Sequence, residues 1–235
     1  MTLSKLKKDA RKYANAKRKK ANEWFFKTGK GQYGEGDRFI GISMPDVRIV
    51  AKKYIGLSDD EIVELLHSEI HEERMIALVI WTYQFEKADE QRKAEIYKKY
   101  LKNTKYINNW DLVDVTCNRI VGFYLLNKPE KRKILYKLAK SKDLWEKRIA
   151  IVSTSVFIVK KSEFEDTLKI CEMLMKDKHD LMHKACGWML REVGKKNEKV
   201  LCKFLDKYHK VMPRTMLRYS LERLDEEKRK WYMGR

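Results

Sequence analysis

A regular spacing between similar helix-length segments is the feature that most constrains the fold of this chain. Arg74, Asp111, Arg148 and Lys184 follow one another at intervals of 37, 37 and 36 residues. The sequence around Arg74 is similar to that around Arg148, and a looser copy surrounds Lys184. A period of this length, with two helices in each unit, indicates an array of helix-pair repeats.

Helical signals fill most of the remaining sequence. From Ser58 onward, apolar residues recur at α-helical spacing, and no segment shows the alternation of a strand. Residues 58–61 form a capping box. Further helix starts are predicted at Asp89, Pro129 and Ser162, and helix ends near Asn103, residues 127–129, residues 141–143, residues 177–180 and Gly194. Because the signature residues of TPR repeats are absent, we predict an all-α, HEAT-like helical-repeat solenoid, an α-α superhelix with a concave basic groove.

The chain length of 235 residues is ample for a buried core, and we expect a single α-helical domain over residues 1–235. Residues 1–28 are predicted to form one basic amphipathic helix, and residues 58–224 the helix-pair repeats. The glycine-rich segment 29–37 is predicted to be a loop, because it lacks the spacing and the preceding strand of a dinucleotide-binding motif. Pro45 then suits the first position of the next helix.

The charge of the chain points to a polyanionic partner. The sequence has 53 Lys and Arg residues against 34 Asp and Glu residues, a formal net charge of +19. Such an excess attracts nucleic acid, and phosphate contacts make that binding sensitive to salt. The alternative is a generally lysine-rich surface with no such partner. The basic run at residues 17–20 is open to both interpretations, as a phosphate contact or as a solvated face.

Several other classes of protein are disfavoured. The cysteines, Cys117, Cys171, Cys186 and Cys202, form no C-x-x-C pair and lie in apolar helical patterns, so we expect buried free thiols and a cytoplasmic protein. The charged N-terminus indicates no signal peptide, and no apolar run is long enough for a membrane span. No arrangement of a nucleophilic Ser or Cys with a catalytic His is evident.

Three helices carry a tryptophan beside a charged residue at helical spacing. Trp110 and Asp114 are four positions apart, whereas Trp145 precedes Arg148, and Trp188 precedes Arg191, by three. Each residue also has a structural interpretation, since tryptophans usually lie in cores and charged side chains usually lie in solvent. These pairs recur in repeat units, and residues at equivalent positions of such units are expected to line one groove. This recurrence favours a functional site.

Single residues outside these pairs carry weaker signals. Gly187 beside Trp188 would allow a close approach to the backbone. Asp111 is expected to be an ion-pair or capping partner. His179 and His183 have the spacing of metal ligands, but no third ligand is evident, and a metal site is therefore disfavoured. His67 and His71 flank a predicted helix junction and suggest caps or turns.

Taken together, these motifs resemble the AlkD-like family of DNA alkylation-repair glycosylases, which are HEAT-like repeat proteins. The resemblance covers about residues 33–223. It rests on five motifs in order: residues 39–42 followed by Pro45 and Arg48, residues 110–114, residues 145–150, residues 184–192 and residues 212–219. Any one of these motifs is weak, whereas all five in order are specific.

The resemblance implies hydrolysis of the N-glycosidic bond of positively charged N-alkylpurines, such as 3-methyladenine and 7-methylguanine, in duplex DNA. In that family the base is removed without being flipped, as a step of base excision repair. The matching site residues are Trp110, Asp114 and Trp188 around the sugar, Arg148 at the lesion phosphate, and Arg191 and Arg48 at other backbone positions. Ser43 departs from the family, which often has a larger polar residue there.

The resemblance also implies that the enzyme needs no metal or organic cofactor and acts as a monomer without an obligate protein partner. It would be cytoplasmic, and associated with the nucleoid when acting on DNA. The alternative from a different class is a non-catalytic HEAT-like nucleic-acid-binding or scaffold protein. The two interpretations differ at Trp110, Asp114 and Trp188, which should be exposed on one concave surface in an enzyme. Burial of these side chains in separate cores would exclude the enzyme.

Overall fold

The computed structural model describes residues 2–234, and their regular structure is helical throughout. One isolated bridge between Arg38 and Ile70 is present, and no strand occurs in the described residues. The all-α prediction is therefore confirmed. The chain divides into two compact units, Met1–Ile120 and Val121–Arg235.

Within the described residues, the first unit contains seven α-helices. They are α1 (Leu3–Arg11), α2 (Ala16–Phe25), α3 (Met44–Lys53), α4 (Asp59–Leu66), α5 (His71–Lys87), α6 (Glu90–Lys102) and α7 (Trp110–Cys117), with a 3₁₀ helix at Thr104–Tyr106 and a π-helical turn at Asn118–Gly122 after α7. Helix α5 packs against α3, α4, α6 and α7. It is buried without interruption from His71 to Thr82, and a helix buried on all sides forms the centre of a core.

The N-terminal segment differs from its prediction. Residues 1–28 were expected to form one helix, but the described part contains two, α1 and α2, with a break between Arg11 and Ala16. The break coincides with a contact to a later segment, because Asn15 caps α2 and its backbone N–H donates to the carbonyl of Ile40. Gly41, at a φ of 83°, permits this contact, since a Cβ there would lie 2.1 Å from the Asn15 carbonyl oxygen.

The second unit is also built from packed helices. They are α8 (Phe123–Leu125), α9 (Lys133–Ala139), α10 (Leu144–Ser153), α11 (Ser155–Lys161), α12 (Glu165–Leu174), α13 (Asp180–Lys196), α14 (Glu198–Tyr208), α15 (Arg214–Leu221) and α16 (Glu226–Met233), with a 3₁₀ helix at Pro129–Lys131. Helix α13 is the central element and packs against α10, α11, α12, α14 and α15.

Gly187 is the point at which α13 lies closest to its neighbour. A Cβ at this position would be 2.6 Å from the carbonyl oxygen of Met216 on α15. Sequence analysis expected the small residue to admit a close approach, and the structure shows that the approaching element is another helix of the same unit. Gly187 therefore supports the packing of α13.

We expect Gly187→Ala to lower the free energy of unfolding by about 1–3 kcal/mol, because an added methyl group forces two packed helices apart. Chemical denaturation would measure the change. Gly56→Ala is a matched control, since a Cβ there meets nothing within 4 Å, and it should be close to neutral. Equal stability of the two variants would contradict this account of the α13–α15 contact.

The helix boundaries show which local signals are reliable. The capping box of Ser58 with Glu61 is present, Asp89 caps α6, and Asn103 ends that helix as predicted. Ser162 was predicted to start a helix but instead ends α11, with a left-handed φ of 53°. Gly194 was predicted to end a helix but lies inside α13, packed against the side chain of Leu201.

The cysteines are free, as predicted, and Cys117, Cys171 and Cys186 are buried, whereas Cys202 is partly exposed. Burial raises the pKa of the Cys171 thiol well above its usual value. Among the described residues, no helix combines the length and the apolar character required to cross a bilayer.

Candidate functional site

Helix α7 places two of the predicted site residues on one face. It begins at Trp110, whose backbone N–H donates to Oδ1 of the capping residue Asn109 at 2.8 Å. Asp114 lies four positions further on, so its side chain shares the helical face of Trp110. Both side chains are partly exposed, and both are thus accessible at the surface of the first unit.

Trp110 is held by aromatic rings from the end of α2. The ring of Phe26 stacks on it at 5.3 Å between centroids, and the ring of Phe25 meets it edge-on at 5.8 Å. Phe26 also stacks on Phe39 at 5.1 Å. These contacts fix the orientation of the indole while leaving part of it exposed. Sequence analysis did not identify Phe25 or Phe26.

A buried polar network lies beneath the start of α7 and centres on Asp37. Its carboxylate accepts hydrogen bonds from Arg74 at 2.6 Å and from the buried Asn109 at 3.0 Å, and it lies 3.1 Å from Nδ1 of His71. Nε2 of His71 is 2.8 Å from a carboxylate oxygen of Asp111. Because Asn109 and Asp111 flank Trp110, the network anchors the segment that carries this residue.

The network contains charges that stabilise one another. Burial alone would lower the pKa of His71, but the negative charge of Asp111 and hydrogen bonds to Asp111 and Asp37 outweigh it and raise the pKa to about 9. Burial of Asp37 acts to raise its pKa, and the hydrogen bond from His71 and the charge of Arg74 reverse the effect, so that its pKa is lowered. A protonated His71 between two carboxylates is therefore the favoured state at neutral pH.

The stability of the first unit should depend on the protonation of His71. Its pKa in the folded protein, about 9, lies above the ordinary value of 6.5, so the stabilisation is fully present below pH 6.5 and is lost as the pH rises through about 9. The difference corresponds to roughly 3 kcal/mol. Urea unfolding of the wild type and of His71→Gln at pH 6 and pH 9.5 would measure it.

The variant should show a smaller loss of stability between these two pH values, because Gln does not titrate. His67→Gln is a suitable control, since the side chain of His67 is exposed and lies outside the network. An identical loss in the wild type and in His71→Gln would contradict the assigned role.

A second buried carboxylate shapes the segment before α3. Glu72 accepts hydrogen bonds from the backbone N–H groups of Ile40, Gly41 and Ile42 at 3.0, 2.7 and 3.3 Å. The following residue, Ser43, caps α3, and its hydroxyl oxygen accepts a hydrogen bond from the backbone of Asp46. The small residue at position 43 thus has a local structural role.

Arg48 is exposed on α3, which begins at Met44, one residue before Pro45. An exposed guanidinium on a helix of this strongly basic chain suits a phosphate contact.

The second unit carries the remaining predicted site residues on two packed helices. Arg148 on α10 is buried, and its guanidinium donates to the carbonyl of Leu181 in the first turn of α13 at 2.8 Å. Trp188 and Arg191 lie on α13, and both are partly exposed. Arg148 therefore holds the helix that presents Trp188, and its contact with a phosphate stays a prediction.

Arg191 pairs with carboxylates at this surface. Its guanidinium forms a short ion pair with Glu222, and its Nε lies 3.7 Å from Glu192. The pair with Glu222 is only partly buried, and surface ion pairs contribute little stability.

Burial separates the four tryptophans between residues 81 and 188 into two groups. Trp81 and Trp145 are core residues, with 0% and 7% of their surface exposed. Trp110 and Trp188 are not in the buried group. The interpretation of each tryptophan as a core residue is thus correct for Trp145. It is not correct for Trp110 or Trp188, which are partly exposed.

The histidines considered as metal ligands have structural partners. His179 caps α13, and a ring nitrogen of His183 lies 2.6 Å from the carbonyl oxygen of Asp177. Within residues 2–234, no group of three potential ligands has the arrangement of a metal site. His67 ends α4, as the sequence suggested, whereas the network around His71 was missed.

The predicted site residues therefore form two groups. Arg48, Trp110 and Asp114 belong to the first unit, and the second unit contains Arg148, Trp188 and Arg191. A partial signal for the missed network was present, since Arg74 and Asp111 occupy equivalent positions of the repeat spacing. No such signal pointed to Asp37, whose one visible feature in the sequence is its place at the end of a glycine-rich segment.

Comparison with known proteins identifies the fold and the family of the chain. One solved structure, a protein from Enterococcus faecalis described as a predicted DNA alkylation repair enzyme, superposes with a TM-score of 0.71 at 14% sequence identity. The match covers 91% of this chain and 97% of the other, and at this identity it shows the fold. No match was found among curated proteins. A family model described as DNA alkylation repair enzyme matches residues 6–224, so the chain belongs to that family.

Proposed function

We propose that the protein is a DNA glycosylase that hydrolyses the N-glycosidic bond of positively charged N-alkylpurines in duplex DNA, without flipping the base. The observation that carries the proposal is the partial exposure of Trp110, Asp114 and Trp188, in contrast to the buried Trp81 and Trp145. Burial of these three side chains in separate cores would have excluded an enzyme, and none of them is buried.

The chemistry of the lesion explains why few catalytic groups are needed. Alkylation at N3 or N7 gives the purine a positive charge, so the base leaves with the bonding electron pair as a neutral molecule. The sugar then develops oxocarbenium character at C1′, as in glycoside hydrolysis. Water adds at C1′ and loses a proton. The protein must stabilise a cationic sugar and direct one water molecule.

Asp114 is the group proposed to do both. A fixed carboxylate beside C1′ stabilises developing positive charge and can accept a hydrogen bond from the attacking water. The indole faces of Trp110 and Trp188 carry negative potential, which attracts the cationic sugar, and they also pack against its C–H groups. The stacking of Phe26 on Trp110 supports this role, because it limits movement of the indole.

Binding would be carried by the basic side chains. The net charge of +19 provides the attraction to the duplex. Arg48, Arg148 and Arg191 are proposed to contact phosphates, which position the duplex without reading its sequence. Without a base-binding pocket, selectivity would come from the lability of the damaged base, and bulky cationic adducts would also be accepted.

The test is an excision assay on duplex DNA that carries 7-methylguanine or 3-methyladenine. The expected result is release of the free base in excess of spontaneous loss, measured by chromatography, with an abasic site left in the strand. Unmodified duplex DNA serves as the control and should release no base. Binding of methylated DNA without base release would instead support a non-catalytic nucleic-acid-binding protein.

A further inference from the structure

Helix α2 contributes nothing to the core of the first unit. None of its residues, Ala16–Phe25, is buried. A helix of this length is marginal in water unless packing stabilises it, so its retention on the surface calls for another explanation. It is held at its two ends: Arg18 donates to the carbonyl of Gly41 at 3.1 Å, and Phe26 follows it into the stack with Trp110.

One face of α2 combines positive charge with an exposed aromatic ring. Lys17, Lys20 and Trp24 are spaced at three and four positions, which places them on the same side of the helix. Trp24 is 74% exposed. The ammonium group of Lys27 lies 4.7 Å from the centre of its ring, so a third cation accompanies the indole.

This face adjoins the surface that carries Trp110. Phe25 is 53% exposed, and its ring meets that of Trp110 at 5.8 Å. The exposed rings of Trp24 and Phe25 are consecutive in sequence. Phe25 thus brings exposed aromatic surface from the end of α2 to the start of α7, inside the first unit.

We propose that the face of α2 formed by Lys17, Lys20 and Trp24 is a duplex-DNA contact surface that continues the candidate site beyond Trp110. The lysines would bind phosphates of the backbone, and Trp24 would pack against the deoxyribose groups between them. The proposal rests on the proposed function only in placing the damaged nucleotide near Trp110. The contacts of the α2 face would also bind undamaged duplex DNA.

Charge complementarity favours DNA as the occupant. Lysines flank the exposed indole along the helix, and an apolar protein partner would have to desolvate them without compensation. Phosphates lie at regular intervals along a duplex with sugars between them, which matches cations placed on both sides of an aromatic ring.

The charged part of the surface can be tested by the salt dependence of binding. The dissociation constant of an undamaged, fluorescently labelled duplex would be measured by anisotropy at several salt concentrations. For Lys17→Ala combined with Lys20→Ala, the slope of log Kd against log salt should fall by about 2, one for each lost phosphate contact. The exposed pair Lys133 and Lys137 on α9, replaced in the same way, is the matched control.

The aromatic part can be tested at constant charge. Trp24→Ala should raise Kd about tenfold without changing the salt slope, whereas Trp24→Phe should retain most of the affinity. Trp231→Ala removes another exposed tryptophan, 62% accessible, and should leave binding unchanged. The α2 variants should fold, as far-ultraviolet circular dichroism can verify, because α2 buries no side chain.

Two results would overturn the proposal. One is a Kd and a salt slope of the α2 variants equal to those of the control variants. The other is self-association of the wild type in sedimentation experiments that Trp24→Ala abolishes, which would make a second copy of the chain the occupant. The two proposals can also fail separately. If the α2 variants bind duplex DNA more weakly but the wild type releases no base, the proposed glycosylase function is refuted and the DNA-contact surface on α2 is still supported.

Discussion

Asp114→Asn should release 7-methylguanine about 100-fold more slowly than the wild type, or more slowly still, because the loss of a charge-stabilising group in the transition state has effects of this size. Asn has nearly the same shape as Asp but carries no negative charge to offset the cationic sugar. Single-turnover release of labelled base, with protein in excess over DNA, would measure the rate without interference from product release.

Binding separates a catalytic role of Asp114 from a structural one. The variant should bind duplex DNA at least as tightly as the wild type, because a negative charge near the phosphates has been removed. Asp60→Asn is the matched control, since Asp60 is an exposed carboxylate in the first turn of α4. Release of 7-methylguanine by Asp114→Asn at the wild-type rate would contradict the catalytic role assigned to this carboxylate.

Asp37→Ala should be the most destabilising of the changes considered, lowering the free energy of unfolding by about 3–5 kcal/mol. The substitution leaves the buried Arg74 and His71 without the carboxylate that lies between them, and an uncompensated buried charge is costly. Chemical denaturation followed by circular dichroism would measure the loss.

The first unit provides its own control for this prediction. Arg38 and Glu69 form an ion pair at 2.8 Å, with side chains that are 72% and 74% exposed. Glu69→Ala should therefore change the stability by less than about 1 kcal/mol. Similar losses in Asp37→Ala and Glu69→Ala would show that the buried network is not what holds the start of α7.

Local sequence was a good guide wherever the structure depends on local contacts. The capping box at Ser58 and the cap at Asp89 involve residues three positions apart, and both are present. The repeat spacing likewise predicted an all-α fold, since each helix pair is defined by its own apolar pattern. Trp110 and Asp114 were placed on one face because that relation is a property of a single helix.

The failures occur where distant segments meet. Asn109 and Asp37 are 72 residues apart, and no local pattern indicates their hydrogen bond. The break between α1 and α2 depends on the contact of Asn15 with Ile40. Gly194 stays inside α13 although glycine often ends helices, which shows that tertiary packing overrides a weak propensity.

The buried network also has a consequence for the order in which the first unit is assembled. His71 and Arg74 are separated from Asp37 by 34 and 37 residues, and His71 from Asp111 by 40. During synthesis, the central helix α5 leaves the ribosome before Asn109 and Asp111 do. His71, in the first turn of α5, can therefore gain its second carboxylate partner, Asp111, only after the start of α7 has emerged. The last segment needed to complete the unit is thus the one that carries Trp110 and Asp114.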